Sequence, residues 1–153
     1  MMEPLVKTIE VPCNQEKAFN VFIDIGSWWP VDRFSTSLMR GETVKELRVD
    51  AKEGGQIVEL SSEEHEVVWG TIKSYAPFNY LNLDFHIPHP SEENPGFSTV
   101  EVRFTPIGED KTRVELTQSN WEALGDVAEM VQGGYQQAWV MIFEGAYQAA
   151  CGS

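Results

Sequence analysis

The chain has 153 residues, 42% of them hydrophobic, which suits a single domain with one sizeable core. Its 11 Lys and Arg against 24 Asp and Glu give a formal charge of −13, which opposes phosphate backbones and anionic membrane surfaces. The opening MMEPLVKTIEV lacks a basic stretch followed by an apolar one, and no apolar run approaches the roughly 18 residues of a membrane span. Nucleic-acid binding and membrane insertion are therefore not expected, and the expected location is the cytoplasm. Cys13 and Cys151 lie at opposite ends without a paired-cysteine motif, so free thiols are expected rather than a disulfide framework or a thiolate zinc site.

In chain order, LVKTIEV alternates as a strand does, with Leu5, Ile9 and Val11 on one side, and Pro12 ends it. Asn14 is a suitable N-cap for a first helix, in which Ala18, Phe19, Phe22 and Ile23 recur at helical spacing. Gly26 and Pro30 break that pattern around Trp28 and Trp29 in DIGSWWPVDRF. One buried indole removes about 150–250 Å² from water, so two adjacent rings on a connection must cover something or be covered.

From residue 42 onward the pattern is that of strands: ETVKELRVD, GGQIVELS, EVVWGTIKSY, NYLNLDFHI, STVEVRFTP and TRVELTQS, separated by turn-rich stretches. Six in succession predict an antiparallel meander. Leu81, Leu83 and Phe85, then Val100, Val102 and Phe104, then Val114 and Leu116, share one parity. Asn82, Asp84, His86, Thr99, Glu101, Arg103, Arg113, Glu115 and Thr117 share the other, so one face is predicted dry and one wet. A helical projection of residues 127–149 places Val127, Val131, Gly134, Tyr135, Ala138, Met141, Ile142, Gly145 and Ala149 on one broad face, which predicts a C-terminal helix covering the sheet. Gly133 and Gly134, each costing about 1 kcal/mol in a helix relative to Ala, predict a junction there. The class is α+β.

Catalytic signatures are sparse. His86 and His89 in HIPHP are two ligands at most and are predicted to lie on the surface; His65 sits in the acidic SSEEHE. No nucleophile-elbow pattern and no glycine-rich phosphate loop occurs, so no cofactor is expected.

Five segments in order, AFNVFIDIGSWWP, GGQIVEL, VWGTIKSYAPFNYLNLDF, STVEVRFTPIGEDKTRVEL and GGYQQAWVMIFEGAY, resemble the SRPBCC (START-like, Bet v-like) superfamily, within it the group related to the activator of the heat-shock-protein-90 ATPase. Tyr135 and Phe85 stand where many relatives carry tryptophan. The resemblance implies a helix-grip fold: a curved antiparallel sheet of about seven strands wrapped around a long C-terminal helix, with a cavity between them. It implies that Trp28 and Trp29 form a wall or lid of that cavity; the alternative is that both are ordinary core.

The function so implied is binding of a small hydrophobic or amphipathic ligand in a cavity lined by Trp28, Trp29, Trp69, Leu83, Phe85, Val102, Tyr135 and Trp139. Glu59, Gln118 and the Tyr135 phenol are the polar groups expected to point inward. Two alternatives come from other classes. Some superfamily members cyclise or dehydrate polyketides in the same cavity, and Glu59, whose parity with Ile57 the resemblance turns inward, is then the candidate acid or base. A chaperone partner, as the group's name implies, is the less favoured reading, because full-length activators join this domain to a second one.

Overall fold

The computed structural model describes residues 2–92 and 96–152. Seven strands, β1 (Leu5–Val11), β2 (Val44–Val49), β3 (Gln56–Ser61), β4 (Glu66–Ala76), β5 (Tyr80–Phe85), β6 (Ser98–Gly108) and β7 (Lys111–Ser119), form an antiparallel sheet ordered β1-β7-β6-β5-β4-β3-β2. The expected alternation is the observed one. Leu81 lies opposite Val102 and Val102 opposite Leu116, which makes a continuous apolar row on the inner face. The next row runs Leu83, Val100, Gln118, Leu5, so a polar residue enters an otherwise apolar line.

Register shifts in the β2–β3, β3–β4 and β4–β5 pairings curl this half of the sheet, since each unpaired residue bends its strand and increases the twist. Gly70 marks the sharpest approach, because a β-carbon there would lie 1.7 Å from the Asp84 carbonyl oxygen.

Helix α1 (Gln15–Ile23) begins where Asn14 Oδ1 accepts the Lys17 N–H at 2.9 Å. Its buried face sets Phe19 and Phe22 against Phe104, with ring centroids 5.3 and 6.0 Å apart. A single turn, α2 (Thr36–Met39), follows, its Ser35 cap accepting the Leu38 N–H. The chain ends in α3 (Ala128–Met141), which continues through a π-helical stretch, Ile142–Tyr147, into a last α-turn, Gln148–Cys151. This C-terminal helix lies against the inner face of the sheet, as the helix-grip expectation requires.

The tryptophan question is answered by packing. Trp28 Nε1 donates to the Val21 carbonyl and Trp29 Nε1 to that of Phe34, at 2.7 and 2.8 Å. The Trp29 ring lies 5.1 Å from Trp69, 5.9 Å from Phe85 and 6.0 Å from Trp139, so it bridges sheet and helix.

Two expectations for the C-terminal helix are corrected. The helix runs unbroken through Gly133 and Gly134; the interruption is at Gly125, whose φ of 70° only glycine adopts cheaply, at the end of a 3₁₀ stretch, Trp121–Val127. The projected face is core only in part: Tyr135 and Ile142 are buried, but Gly134, Met141, Gly145 and Ala149 are exposed, and the series that carries the core at four-residue spacing is Tyr135, Trp139, Phe143, Tyr147 and Cys151. Cys13 and Cys151 are free and buried. Among the described residues no helix is long and apolar enough to cross a membrane.

Candidate functional site

Between the first half of α3, the segment around α2 and the stretch following β5 lies a cavity of about 500 Å³. Phe34, Ile87, Val127, Val131 and Ala138 supply apolar wall, Arg33, Met39 and Met130 also line it, and Tyr135, His86 and Glu92 add polar groups. The space exists because α3 turns small residues toward it. Gly134 and Ala138 line it one helical turn apart, and a β-carbon placed on Gly134 meets nothing within 4 Å. The opposite wall is held by Thr36 Oγ1, which donates to the Pro88 carbonyl at 2.6 Å and ties α2 to the post-β5 segment.

Three side chains are chained along this wall. The Tyr135 hydroxyl accepts the Ile87 N–H at 2.8 Å and lies 3.2 Å from His86 Nδ1. His86 Nε2 lies 3.2 and 3.1 Å from the two Glu92 oxygens. Glu92 Oε2 also accepts the His89 N–H, while His89 Nδ1 lies 2.6 Å from Ser91 Oγ. A carboxylate only accepts, so the network assigns the hydrogen to His86 Nε2, and in the neutral ring Nδ1 then accepts the Tyr135 O–H. Burial pushes the Tyr135 phenol well above its ordinary value; the Ile87 N–H opposes this and the Glu92 charge adds to it, so Tyr135 stays protonated.

The position of His86 is a correction. Strand alternation places it with Asn82 and Asp84 on the wet face, yet it is 2% exposed. β5 ends at Phe85, and beyond it the chain turns under α3, so that His86 and Ile87 are both buried while the His86 N–H still donates to the Trp69 carbonyl. Parity has no meaning once the strand has ended. The signals in HIPHP were its two prolines, which announce that ending, but nothing local announces the partner 49 residues away on α3. Glu92 was missed for the same reason.

Of the residues expected to line the cavity, Tyr135 does so. Trp29, Trp69, Leu83, Phe85, Val102 and Trp139 are buried and fill the space between sheet and helix instead, with Trp28 packed at the edge of that core against Phe22 and Tyr147. Gln118 points inward as expected but is engaged there: its amide donates to Ser98 Oγ at 2.9 Å and its oxygen accepts the Trp139 Nε1–H at 2.8 Å.

Glu59 also points inward and is fully buried, yet it lies outside the cavity lining. Its Oε1 accepts from the Thr36 N–H and Trp69 Nε1–H, both at 2.9 Å, and its Oε2 from the Ser37 N–H at 2.6 Å and the Ser37 hydroxyl. Four donors occupy the roughly four lone-pair sites of a carboxylate, which leaves none for a ligand. Glu59 is a clamp on α2. Among the described residues no cluster of His, Cys, Asp and Glu suits a metal ion.

Known structures share this architecture. An anthrahydroquino-γ-pyrone synthase is 26% identical, with a TM-score of 0.58 over 86% of this chain and 85% of its own. A self-sacrificing resistance protein from Micromonospora echinospora superposes at a TM-score of 0.67 over 97% and 93% of the two chains, with 20% identity. A heat-shock-protein-90 activator from Plasmodium falciparum does so at 0.56 over 94% and 97%, with 22% identity. No curated protein sequence matches significantly. The family model described as activator of Hsp90 ATPase homolog 1-like protein matches residues 13–145, and the chain belongs to that family.

Proposed function

We propose that the protein binds one small hydrophobic or amphipathic molecule in the cavity beside α3, with an oxygen of that molecule directed at Tyr135. The observation that carries this reading is the pairing of apolar wall with one convergent polar array, the composition by which small-molecule sites orient their ligands. The volume of about 500 Å³ suits a ligand of two to four fused rings. The synthase that is 26% identical takes its name from such a framework, which supports a flat polycyclic occupant.

The test is titration with an uncharged aminonaphthalene dye. One site of about micromolar affinity is expected, corresponding to about −8 kcal/mol. Gly134→Leu places a side chain in the empty space and should abolish the site while leaving the fold as stable or more so. No binding by the parent protein, or undiminished binding by Gly134→Leu, would sink the proposal.

A further inference from the structure

We propose that Glu92, His86 and Tyr135 form a proton relay that accepts the proton of a phenolic or enolic hydroxyl on the molecule held in the cavity, making hydroxylated aromatic ketones and their enol tautomers its substrate class. This rests on the cavity being a ligand site, as argued above.

The direction of transfer follows from counting hydrogen bonds. With His86 neutral, Nε2–H faces Glu92 and Nδ1 accepts the Tyr135 O–H. The Tyr135 oxygen receives the Ile87 N–H and keeps one lone pair. What the relay offers a ligand is therefore an acceptor, and the matching group is a hydroxyl, not a bare carbonyl. In the transfer the ligand O–H bond breaks and its proton joins the Tyr135 oxygen. The Tyr135 O–H breaks in the same step, and its proton joins His86 Nδ1. The bonding pair stays on the ligand oxygen, leaving an oxyanion in the cavity and an imidazolium held by Glu92. No electrons change hands, and the reverse step restores every group.

Burial favours this passage over storage, because Tyr135 cannot persist as a phenolate. The other titratable groups lining the space are Arg33, whose fixed positive charge favours an anion, and His89, tied to Ser91. A histidine 2% exposed with both ring nitrogens engaged is also costly as filler, since an apolar side chain of similar size needs no partners. Tyr135 is the catalytic residue in this scheme; His86 and Glu92 are positioning residues that act through it.

The probes are 2-hydroxyanthraquinone, whose visible absorption moves to longer wavelength on losing its proton, and its methyl ether, which has no proton to lose. At a pH just below the free dye's own midpoint, the dye bound to the parent protein should show the anion band. His86→Gln and Tyr135→Phe, each saturated with dye so that weaker binding does not count, should show the protonated band, with Glu92→Gln in between. A protonated spectrum on the parent protein, or the same anion band on both variants, overturns the relay. If neither probe binds, the ligand-site reading itself fails; if the ether binds and the hydroxy dye stays protonated, only the relay fails. Should His86→Gln not fold by circular dichroism, His86→Asn replaces it, and the spectrum on the parent protein remains decisive by itself.

Discussion

Replacing Glu59 by Gln probes whether a buried carboxylate can be structural without a cation beside it. All four of its donors are neutral: two backbone N–H groups at the start of α2, the Ser37 hydroxyl and the Trp69 indole. Gln keeps the shape but turns one acceptor oxygen into an NH₂ group. If that group faces Ser37, the hydroxyl can rotate to accept, but the Ser37 N–H is orphaned in a fully buried site. If it faces Trp69 and Thr36, two N–H donors are orphaned. Each bond to a charged acceptor contributes about 1.5–3 kcal/mol, and each orphan costs about 1–3 kcal/mol. Relief of the buried charge offsets part of this, so a net loss of about 2–4 kcal/mol is expected.

Urea denaturation, read as a midpoint shift at constant slope, measures that loss directly. A second readout follows from position, because Phe34, Ser35 and Met39, which line the cavity, belong to the segment that Glu59 holds. Dye affinity should fall along with stability. A Glu59→Gln protein within about 0.5 kcal/mol of the parent would refute the clamp, since that is the range of surface substitutions.

Gly70→Ala drives a methyl group to 1.7 Å from a backbone oxygen that cannot move aside, so a loss at or above the usual 1–3 kcal/mol of overpacking, about 3 kcal/mol, is expected in thermal denaturation. Gly133→Ala meets open space on a regular helix and should stabilise by about 0.5–1 kcal/mol. Alkaline pH should destabilise the fold. Burial raises the Tyr135 and Tyr147 phenols above their ordinary 10.0 and the Cys151 thiol from 9.0 to about 12, so the unfolded chain gives up these protons first. Stability should be flat below about pH 8 and then fall, by up to about 1.4 kcal/mol per pH unit for each group, as pH rises through 9 and 10. A melting temperature equal at about pH 8 and pH 10.5 would refute this.

The sheet was most legible in the strands where alternate side chains keep to opposite faces. In β5, in β6 as far as Phe104 and in β7 every second side chain is buried, so parity alone assigned Leu83, Val102 and Leu116 to the interior. The site was less legible because it is built where such rules stop. His86 and Glu92 lie past the end of β5, Arg33 and Phe34 in an irregular connection, and the link from His86 to Tyr135 joins residues 49 apart in the sequence. The inward direction of Glu59 was legible from its parity with Ile57 together with the family resemblance. Its four donors were not, because three of them come from two residues of α2, a turn too short to leave a periodic signal.

The C-terminal helix shows how a correct pattern can carry two meanings. Projected at 3.6 residues per turn, Val127, Val131, Gly134, Tyr135 and Ala138 form one apolar face, yet in the fold they separate into two stripes. Val127, Val131, Gly134 and Ala138 line the cavity, and their small or short side chains make room for it. Tyr135, Trp139, Phe143, Tyr147 and Cys151, spaced by four, carry the core. On a regular α-helix a four-residue step overshoots a full turn by about 40°, so five such residues would wind off the sheet. The wider π-helical turns at Ile142–Tyr147 absorb the overshoot and keep Phe143 and Tyr147 facing Phe22. Tyr135 belongs to both stripes, which is why a residue that helps anchor the helix to the core also presents its hydroxyl to the site.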